Sequence, residues 1–155
     1  MRWRADAVGL VARLLVGGVW VFAGFSKLPD PAESVRAVRA YRLLPEAVVP
    51  TVGHLLPILE IAVGVCLVLG LLTRVVAVVS AVLLAAFIIG IASAWARGLQ
   101  IECGCFGGGG GAGPGVNVTA KYPWDIARDA GLLVLSVWLV WRPRTPYAVD
   151  NVLLP

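Results

Sequence analysis

The chain has 155 residues, of which 59% are hydrophobic and 14% are charged, and its mean hydropathy is +0.88. A soluble domain carries about 25% charged residues because its surface must be hydrated, so the composition excludes an ordinary soluble domain. It also excludes a disordered chain, whose hydrophobicity would be low, and a disulfide-stapled secreted domain, since the chain has only 3 cysteines. The composition fits a small integral membrane protein with room for roughly four spans of about 20 residues.

The net charge is +4, and the 13 lysines and arginines are scattered singly or in pairs along the chain. Cations in such a pattern typically anchor helix ends at lipid headgroups. We therefore expect a lipid bilayer around the chain and no nucleic-acid partner.

Four hydrophobic windows predict four membrane helices, at about residues 7–26, 51–72, 75–96 and 124–141. The third window is uncharged throughout, whereas the fourth is the weakest because Arg128 and Asp129 lie near its start. Unpaired backbone groups are intolerable in lipid, so the windows should be helical, and an even number places both termini on one side. A cleavable signal peptide is the alternative for the first window, but that window is longer than a signal core and lacks a small-residue cleavage site.

The segment between the first two windows predicts a further helix. Within residues 32–44, Arg36, Arg39 and Arg42 recur every three residues among apolar side chains, which gathers the cations on one flank. We expect this helix to lie in the membrane interface, with a solvated connecting helix as the alternative. The predicted fold is therefore all-α: one domain over residues 1–155, an integral membrane four-helix bundle with an amphipathic interfacial helix between spans one and two.

The candidate redox residues are Cys103 and Cys105, which are separated by one glycine in a loop after the third window. A disulfide at this spacing closes a very small ring, and a strained, exposed disulfide is exchangeable. Two reduced thiols, or half of a zinc site, are the alternatives. Zinc needs two further ligands, and the only histidine, His54, falls inside span two, so we expect no metal. We interpret Cys66, in an apolar run, as a packing residue.

Two charged residues, Arg13 and Glu60, fall inside predicted spans. Each shares a helical face with small residues, so both should face the interior of the bundle. The face on span one holds Arg13, Gly17, Trp20, Gly24 and Lys27, and that on span two holds Gly53, Pro57, Glu60 and Gly64. We expect Arg13 and Glu60 to pair, either to fix helix register or to handle protons or a ligand. Lys27 and Trp124 could cover a ligand near the outer surface, with snorkelling as the alternative.

The assembled residues resemble the MauE branch of the DoxX-like membrane proteins, the methylamine-utilisation type. The resemblance extends over most of the chain, and its motifs are specific in combination and order rather than singly. They are Arg13 followed by Gly24-Phe-Ser-Lys27, the segment from Leu56 to Gly64, and the segment from Cys103 to Gly107. The chain departs from the family in the long glycine-rich stretch 107–115.

The resemblance implies a four-helix membrane bundle whose cysteine motif is tied to redox function. It also implies a role in maturing a periplasmic, disulfide-rich enzyme subunit together with a thioredoxin-like or DsbA-like partner. By the same resemblance the chain is a multi-pass cell-membrane protein with cytoplasmic termini and an extracytoplasmic Cys-Gly-Cys loop, an orientation that counting charges does not decide.

Three functions are therefore considered. The first is thiol-disulfide exchange through Cys103 and Cys105 with an extracytoplasmic thioredoxin-like protein, with a membrane quinone as a reasonable electron acceptor. The second is a non-catalytic scaffold or chaperone for maturation of an exported enzyme. The third, a small transporter, is motivated only by Arg13 and Glu60 and lacks the internal repeat that transporters often show. Nothing in the residues themselves indicates methylamine.

Overall fold

The computed structural model describes residues 2–103, 109–111 and 121–153. Within these ranges the chain forms six helices and one short two-stranded hairpin. In chain order these are α1 (Arg2–Lys27), α2 (Pro31–Ala40), α3 (Val49–Leu69), α4 (Thr73–Ala96), β1 (Ile101–Cys103), β2 (Gly109–Gly111), α5 (Tyr122–Trp141) and α6 (Asp150–Leu153).

Three of these helices, α1, α3 and α4, are long and apolar enough to cross a membrane. They coincide with the first three hydrophobic windows, so the expectation of a mainly helical membrane protein is confirmed. The fourth window is also a helix, α5, but its first half contains Asp125, Arg128 and Asp129, and it does not meet the same criteria of length and composition. The four long helices contact one another in pairs: α1 with α3, α4 with α5, α1 with α5, and α3 with α4.

Helices α1 and α3 approach each other closely along the two faces of small residues that the sequence predicts. A Cβ atom on Gly64 would lie 2.7 Å from the carbonyl oxygen of Gly17, and one on Gly24 would lie 2.8 Å from that of Pro57. These separations are too short for any side chain larger than hydrogen. The glycines therefore set the distance and the register of the two helices.

The segment after α5, residues 142–153, is hydrogen-bonded to the turn between α3 and α4. Gly70 ends α3 in the left-handed region at φ +75, and its carbonyl oxygen accepts a hydrogen bond from the backbone N–H of Asp150 at 3.0 Å. The Asp150 carboxylate in turn accepts hydrogen bonds from the backbone N–H groups of Leu72 and Thr73 at 2.6 and 2.7 Å. These bonds satisfy donors at the start of α4 that lack intrahelical partners.

Helix α2 packs against the start of α3 and is shorter than the predicted 32–44. It begins at Pro31, after the Asp30 side chain caps the N–H of Glu33 at 3.2 Å, and it ends at Ala40 because Arg42 adopts a positive φ of 52. The hydroxyl of Ser34 donates to the carbonyl oxygen of Gly53 at 2.7 Å, which fixes α2 on α3.

Between α4 and α5, where the sequence analysis expected a loop, the described residues 101–103 and 109–111 form a two-stranded hairpin. Ile101 pairs with Gly111 and Cys103 with Gly109 in an antiparallel ladder. The hydroxyl of Tyr122, at the start of α5, is hydrogen-bonded to the backbone N–H of Ile101 at 3.2 Å and to the carbonyl oxygens of Leu99 and Ile101. Backbone pairing and the buried Tyr122 therefore order Gly109–Gly111, which have no side chains to pack.

The core of the helices contains a short chain of hydroxyl groups. The indole N–H of Trp20 donates to the hydroxyl of Ser80 at 2.7 Å, and that hydroxyl lies 2.9 Å from the hydroxyl of Ser136. All three side chains are buried. These hydrogen bonds link α1, α4 and α5, and they leave none of these three polar side chains unsatisfied.

Candidate functional site

A buried ion pair lies where α1 ends. The ammonium of Lys27 donates to both carboxylate oxygens of Glu60, at 2.6 and 2.9 Å, and the two residues are 5% and 0% exposed. The same ammonium lies 5.9 Å from the ring centroid of Phe87. Lys27 is therefore the counterion that Glu60 needs inside the protein.

The expected pair between Arg13 and Glu60 is wrong. Arg13 lies at the C-terminal end of α3, because a Cβ atom added to Gly70 would be 2.7 Å from the Nη1 of Arg13. Gly70 is ten residues from Glu60 along the chain, which corresponds to about 15 Å of helix. The Arg13 guanidinium is therefore far from the Glu60 carboxylate, which the Lys27 ammonium contacts directly.

Arg13 instead binds the C-terminal segment. Its Nη1 donates to the hydroxyl of Thr145 at 2.7 Å and its Nη2 to the carbonyl oxygen of Tyr147 at 3.3 Å. Arg13 is 2% exposed and Thr145 is equally buried. Sequence reasoning missed this contact because residues 142–153 were treated as a tail beyond the last helix.

A second buried carboxylate, Asp129, lies in the first half of α5, where the sequence analysis found the fourth window weakest. It is 3% exposed, and its Oδ1 accepts a hydrogen bond from Arg128 at 2.9 Å. Its Oδ2 has no hydrogen-bond partner in the part of the chain that the structure describes. Asp129 and Glu60 line one small cavity of about 20 Å³, together with Trp20 and Phe87. The sequence signal for this arrangement was an acidic residue directly before the apolar part of α5.

A larger cavity of about 290 Å³ lies between α2, α3 and α4, and its walls are mainly apolar. Lys27, Ser34 and Tyr41 are the polar residues with side chains on its lining. Burial, together with the nearby carboxylates of Asp125 and Asp129, raises the pKa of the Tyr41 phenol, so this group is protonated at neutral pH.

The other predicted site residues lie apart from this centre or outside the described residues. Trp124 is 70% exposed and does not line the cavity that Lys27 borders, so the structure does not bring these two side chains together. Cys103 is the last residue of β1, and Cys105 lies outside the described residues. Cys66 is a free, half-buried cysteine in α3.

The two ends of the helices differ in how their cations are paired. At the end where α2 and the hairpin lie, Arg36 pairs with Asp30 at 3.3 Å and Arg39 with Glu46 at 2.7 Å. At the opposite end, a cavity of about 620 Å³ is bordered by four arginines that form no ion pair with any described residue. They are Arg2, Arg74, Arg142 and Arg144.

Comparisons with known proteins identify relatives of this chain by sequence. The family model of the methylamine utilisation protein MauE matches residues 5–142. The methylamine utilization protein MauE of Paracoccus denitrificans is 39% identical over 95 residues, which are 61% of this chain and 51% of the relative. The chain thus spans about half the length of the curated relative that it matches, and no solved structure matches it. Because the family model covers nearly the whole described helical region, the chain belongs to the MauE family.

Proposed function

We propose that this protein is a membrane thiol-disulfide exchange protein that acts through Cys103 and Cys105 and supports maturation of an exported protein. Its immediate partner is a thioredoxin-like or DsbA-like protein outside the membrane. The relative is a methylamine utilization protein, and we therefore propose that the exported client takes part in methylamine utilisation.

The observation that carries the proposal is the pairing of Cys103 with Gly109. This pairing brings together the two ends of the segment that contains Cys105. The hydrogen bonds of Tyr122 with Ile101 and Leu99 attach the hairpin and the end of α4 to the start of α5. Cys103 therefore lies in a hairpin strand that is anchored to the helices, and functional residues are commonly carried on loops that a rigid scaffold positions.

The membrane arrangement that we propose is a four-helix bundle in which α5 is the fourth span and α2 lies in the interface. The charges in α5 do not oppose this arrangement, because Arg128 pairs with Asp125 at 3.2 Å and with Asp129 at 2.9 Å. A paired cluster near a helix end costs far less in a bilayer than an isolated charge at its centre.

The orientation that we propose places both termini in the cytoplasm and the hairpin outside. Contacts of Arg13 with Thr145 and of Asp150 with Thr73 place the start of α1, the start of α4 and the C-terminal segment at one end. That end presents the four unpaired arginines, which the anionic lipids of the cytoplasmic leaflet attract. Several cations at the hairpin end are neutralised by carboxylates, so the charge argument favours this orientation once the pairs are considered.

The proposed disulfide exchange proceeds in two steps and is followed by reoxidation of the cysteine pair. A thiolate of the reduced partner attacks the Cys103–Cys105 disulfide, and a mixed disulfide forms as one sulfur leaves. The second thiol of the partner resolves the mixed disulfide, so the partner is oxidised and the Cys103–Cys105 pair is reduced. Reoxidation of the pair releases two protons to solvent and passes two electrons to one membrane quinone, which takes up two protons and becomes the quinol.

Trapping of mixed disulfides tests the redox proposal. Cys103→Ser and Cys105→Ser are made singly and together, with Cys66→Ser as the matched control because Cys66 lies in α3, away from the hairpin. One of the two single hairpin variants should accumulate a mixed disulfide with a thioredoxin-like protein, because the resolving thiol is absent. The Cys66→Ser variant should behave like the wild type.

A scaffold or chaperone role is the alternative that the same experiment detects. If neither single variant captures a thioredoxin-like partner and the double variant still supports maturation of the client, the redox proposal is wrong.

Alkylation with a membrane-impermeant maleimide tests the orientation. A reduced Cys103–Cys105 pair should react in cells whose cytoplasmic membrane is intact, after any outer membrane has been permeabilised. Protection until the cytoplasmic membrane is lysed would place the hairpin on the cytoplasmic side and overturn the proposed topology.

A further inference from the structure

The cavity between α2, α3 and α4 has the chemistry of a site for an apolar ring compound. Its volume of about 290 Å³ is at the lower end of the range for small-molecule sites, about 300–1,000 Å³, so it suits one ring and its substituents rather than a whole lipid. The ring of Phe87 forms part of one wall. Leu43 and Leu44 also line the cavity and are 51% and 44% exposed, so a hydrocarbon tail could leave the cavity between them.

The charge of Lys27 selects the kind of polar group that the ligand presents. Two of the three ammonium protons are donated to Glu60, and the third is available to an acceptor in the cavity. Because Glu60 already balances the positive charge, an anionic ligand such as a fatty acid would leave an excess negative charge in a buried site. A neutral carbonyl oxygen is the acceptor that fits.

A path for protons reaches this pair from α5. The cavity of about 20 Å³ between Glu60 and Asp129 is large enough for one water molecule. The Oδ2 atom of Asp129 has no partner among the described residues, so it can accept a proton or a hydrogen bond there. Beside Asp129, Arg128 and Asp125 are 22% and 14% exposed and connect the path to the protein surface.

We propose that the cavity between α2, α3 and α4 binds a membrane quinone whose carbonyl oxygen accepts a hydrogen bond from Lys27. Protons pass from Asp129 through one water molecule to Glu60 and Lys27, and from there to the quinone oxygen. Formation of the quinol takes up two electrons and two protons. The electrons come from the reduced Cys103–Cys105 pair, so this step rests on the proposed function, whereas binding of the quinone does not.

Binding is tested with decylubiquinone and the purified full-length protein in phosphatidylcholine nanodiscs. Gly90 lines the cavity, and a Cβ atom added there would make only ordinary contacts, the nearest at 3.5 Å from Tyr41. Gly90→Leu should therefore fold and fill the cavity, and it should weaken binding at least about tenfold in calorimetric titration. Gly131→Leu is the matched control, because a Cβ atom at Gly131 meets nothing within 4 Å.

Equal binding of decylubiquinone to the wild type and to Gly90→Leu would overturn the assignment of the site. So would failure of the wild type to bind decylubiquinone while it retains a phospholipid acyl chain or palmitate. The double variant Cys103→Ser, Cys105→Ser should bind like the wild type. If it does, a failure of disulfide exchange is separated from a failure of quinone binding.

The proton path is tested with Asp129→Asn, which keeps an oxygen that can accept from Arg128. Asn cannot donate and regain a proton as a carboxyl group does, so stopped-flow formation of quinol by the dithiol form should slow about 100-fold, while the affinity for decylubiquinone is unchanged. An unchanged rate would exclude Asp129 from the path. A loss of affinity equal to the loss of rate would show that Asp129 only supports the site.

Discussion

Lys27 and Glu60 neutralise each other inside the protein, with 2.6 Å between the ammonium nitrogen and the nearer carboxylate oxygen. Removing one partner leaves the other charge buried and unpaired, which costs about 3–5 kcal/mol, whereas replacing both removes the problem. We therefore predict that Lys27→Met and Glu60→Met each lower the free energy of unfolding in detergent by several kcal/mol. The double variant should lose less than either single variant. Additive losses would mean that the two charges do not act as a pair.

The contact between α1 and α3 predicts a sharp difference between two neighbouring glycines. A Cβ atom at Gly17 would lie 2.9 Å from the carbonyl oxygen of Gly64, so Gly17→Ala must push the helices apart and should cost about 1–3 kcal/mol. A Cβ atom at Gly18 meets nothing within 4 Å, so Gly18→Ala should leave the midpoint of thermal unfolding unchanged or slightly raised. Equal midpoints for both variants would contradict the close packing.

Asp150 predicts how stability depends on pH. Burial favours the protonated carboxyl, but hydrogen bonds from the N–H groups of Thr73 and Leu72, with the charge of Arg13, outweigh it and lower the pKa of Asp150. A carboxyl whose pKa is lower in the folded protein stabilises it above the unfolded pKa of about 3.9, and that stabilisation is lost as the pH falls through the folded pKa.

The variant Asp150→Ala should therefore be less stable than the wild type at neutral pH by about 0.5–2 kcal/mol, as for loss of a helix cap. The difference should shrink as the pH falls below about 4 and through the lowered pKa of the folded carboxyl, because the wild-type carboxyl then becomes protonated. Chemical unfolding in detergent at a series of pH values measures this, and a difference that does not change with pH would show that charge plays no part.

The hydrogen bonds of Tyr122 should slow amide hydrogen exchange in the hairpin. The variant Tyr122→Phe removes the hydroxyl that serves the backbone of Leu99 and Ile101, and an unsatisfied buried backbone group costs about 1–3 kcal/mol. Hydrogen exchange of amides 99–103 should accelerate about tenfold or more, while α1 and α3 stay protected. Tyr147→Phe is the control, because Tyr147 is 88% exposed. Unchanged exchange in Tyr122→Phe would mean that the hairpin is held by other contacts.

The sequence predicts the helices and their small-residue faces well, because hydrophobic length and the spacing of glycines are local properties. Gly17, Gly24 and Gly64 were assigned to interior faces from spacing alone, and the structure places them in direct backbone contact. The partner of Glu60 could not be predicted in the same way. It depends on the register of α1 against α3, and the spacing of residues does not choose between Arg13 and Lys27 because both lie on the same face of α1.

Two other features depend on contacts between distant segments. The buried position of Asp129 depends on the packing of α5 against α1 and α4, which no local pattern in α5 encodes. The hairpin at 101–111 depends on Tyr122, which follows it in sequence and supplies its anchor from the next helix. The cysteine motif could be recognised from the sequence, but the hydrogen bonds of Tyr122 that hold the neighbouring strand could not.

The bonds of the C-terminal segment also impose an order on biosynthesis. Thr145 and Asp150 are synthesised after all four long helices, yet they supply partners for Arg13 in α1 and for the first N–H groups of α4. Three apolar helices can enter the bilayer before these partners exist. During that interval Arg13 must be held by water, lipid phosphate or the insertion machinery. A product truncated before Thr145 would leave the Arg13 guanidinium without these partners and would be a target for quality-control proteases.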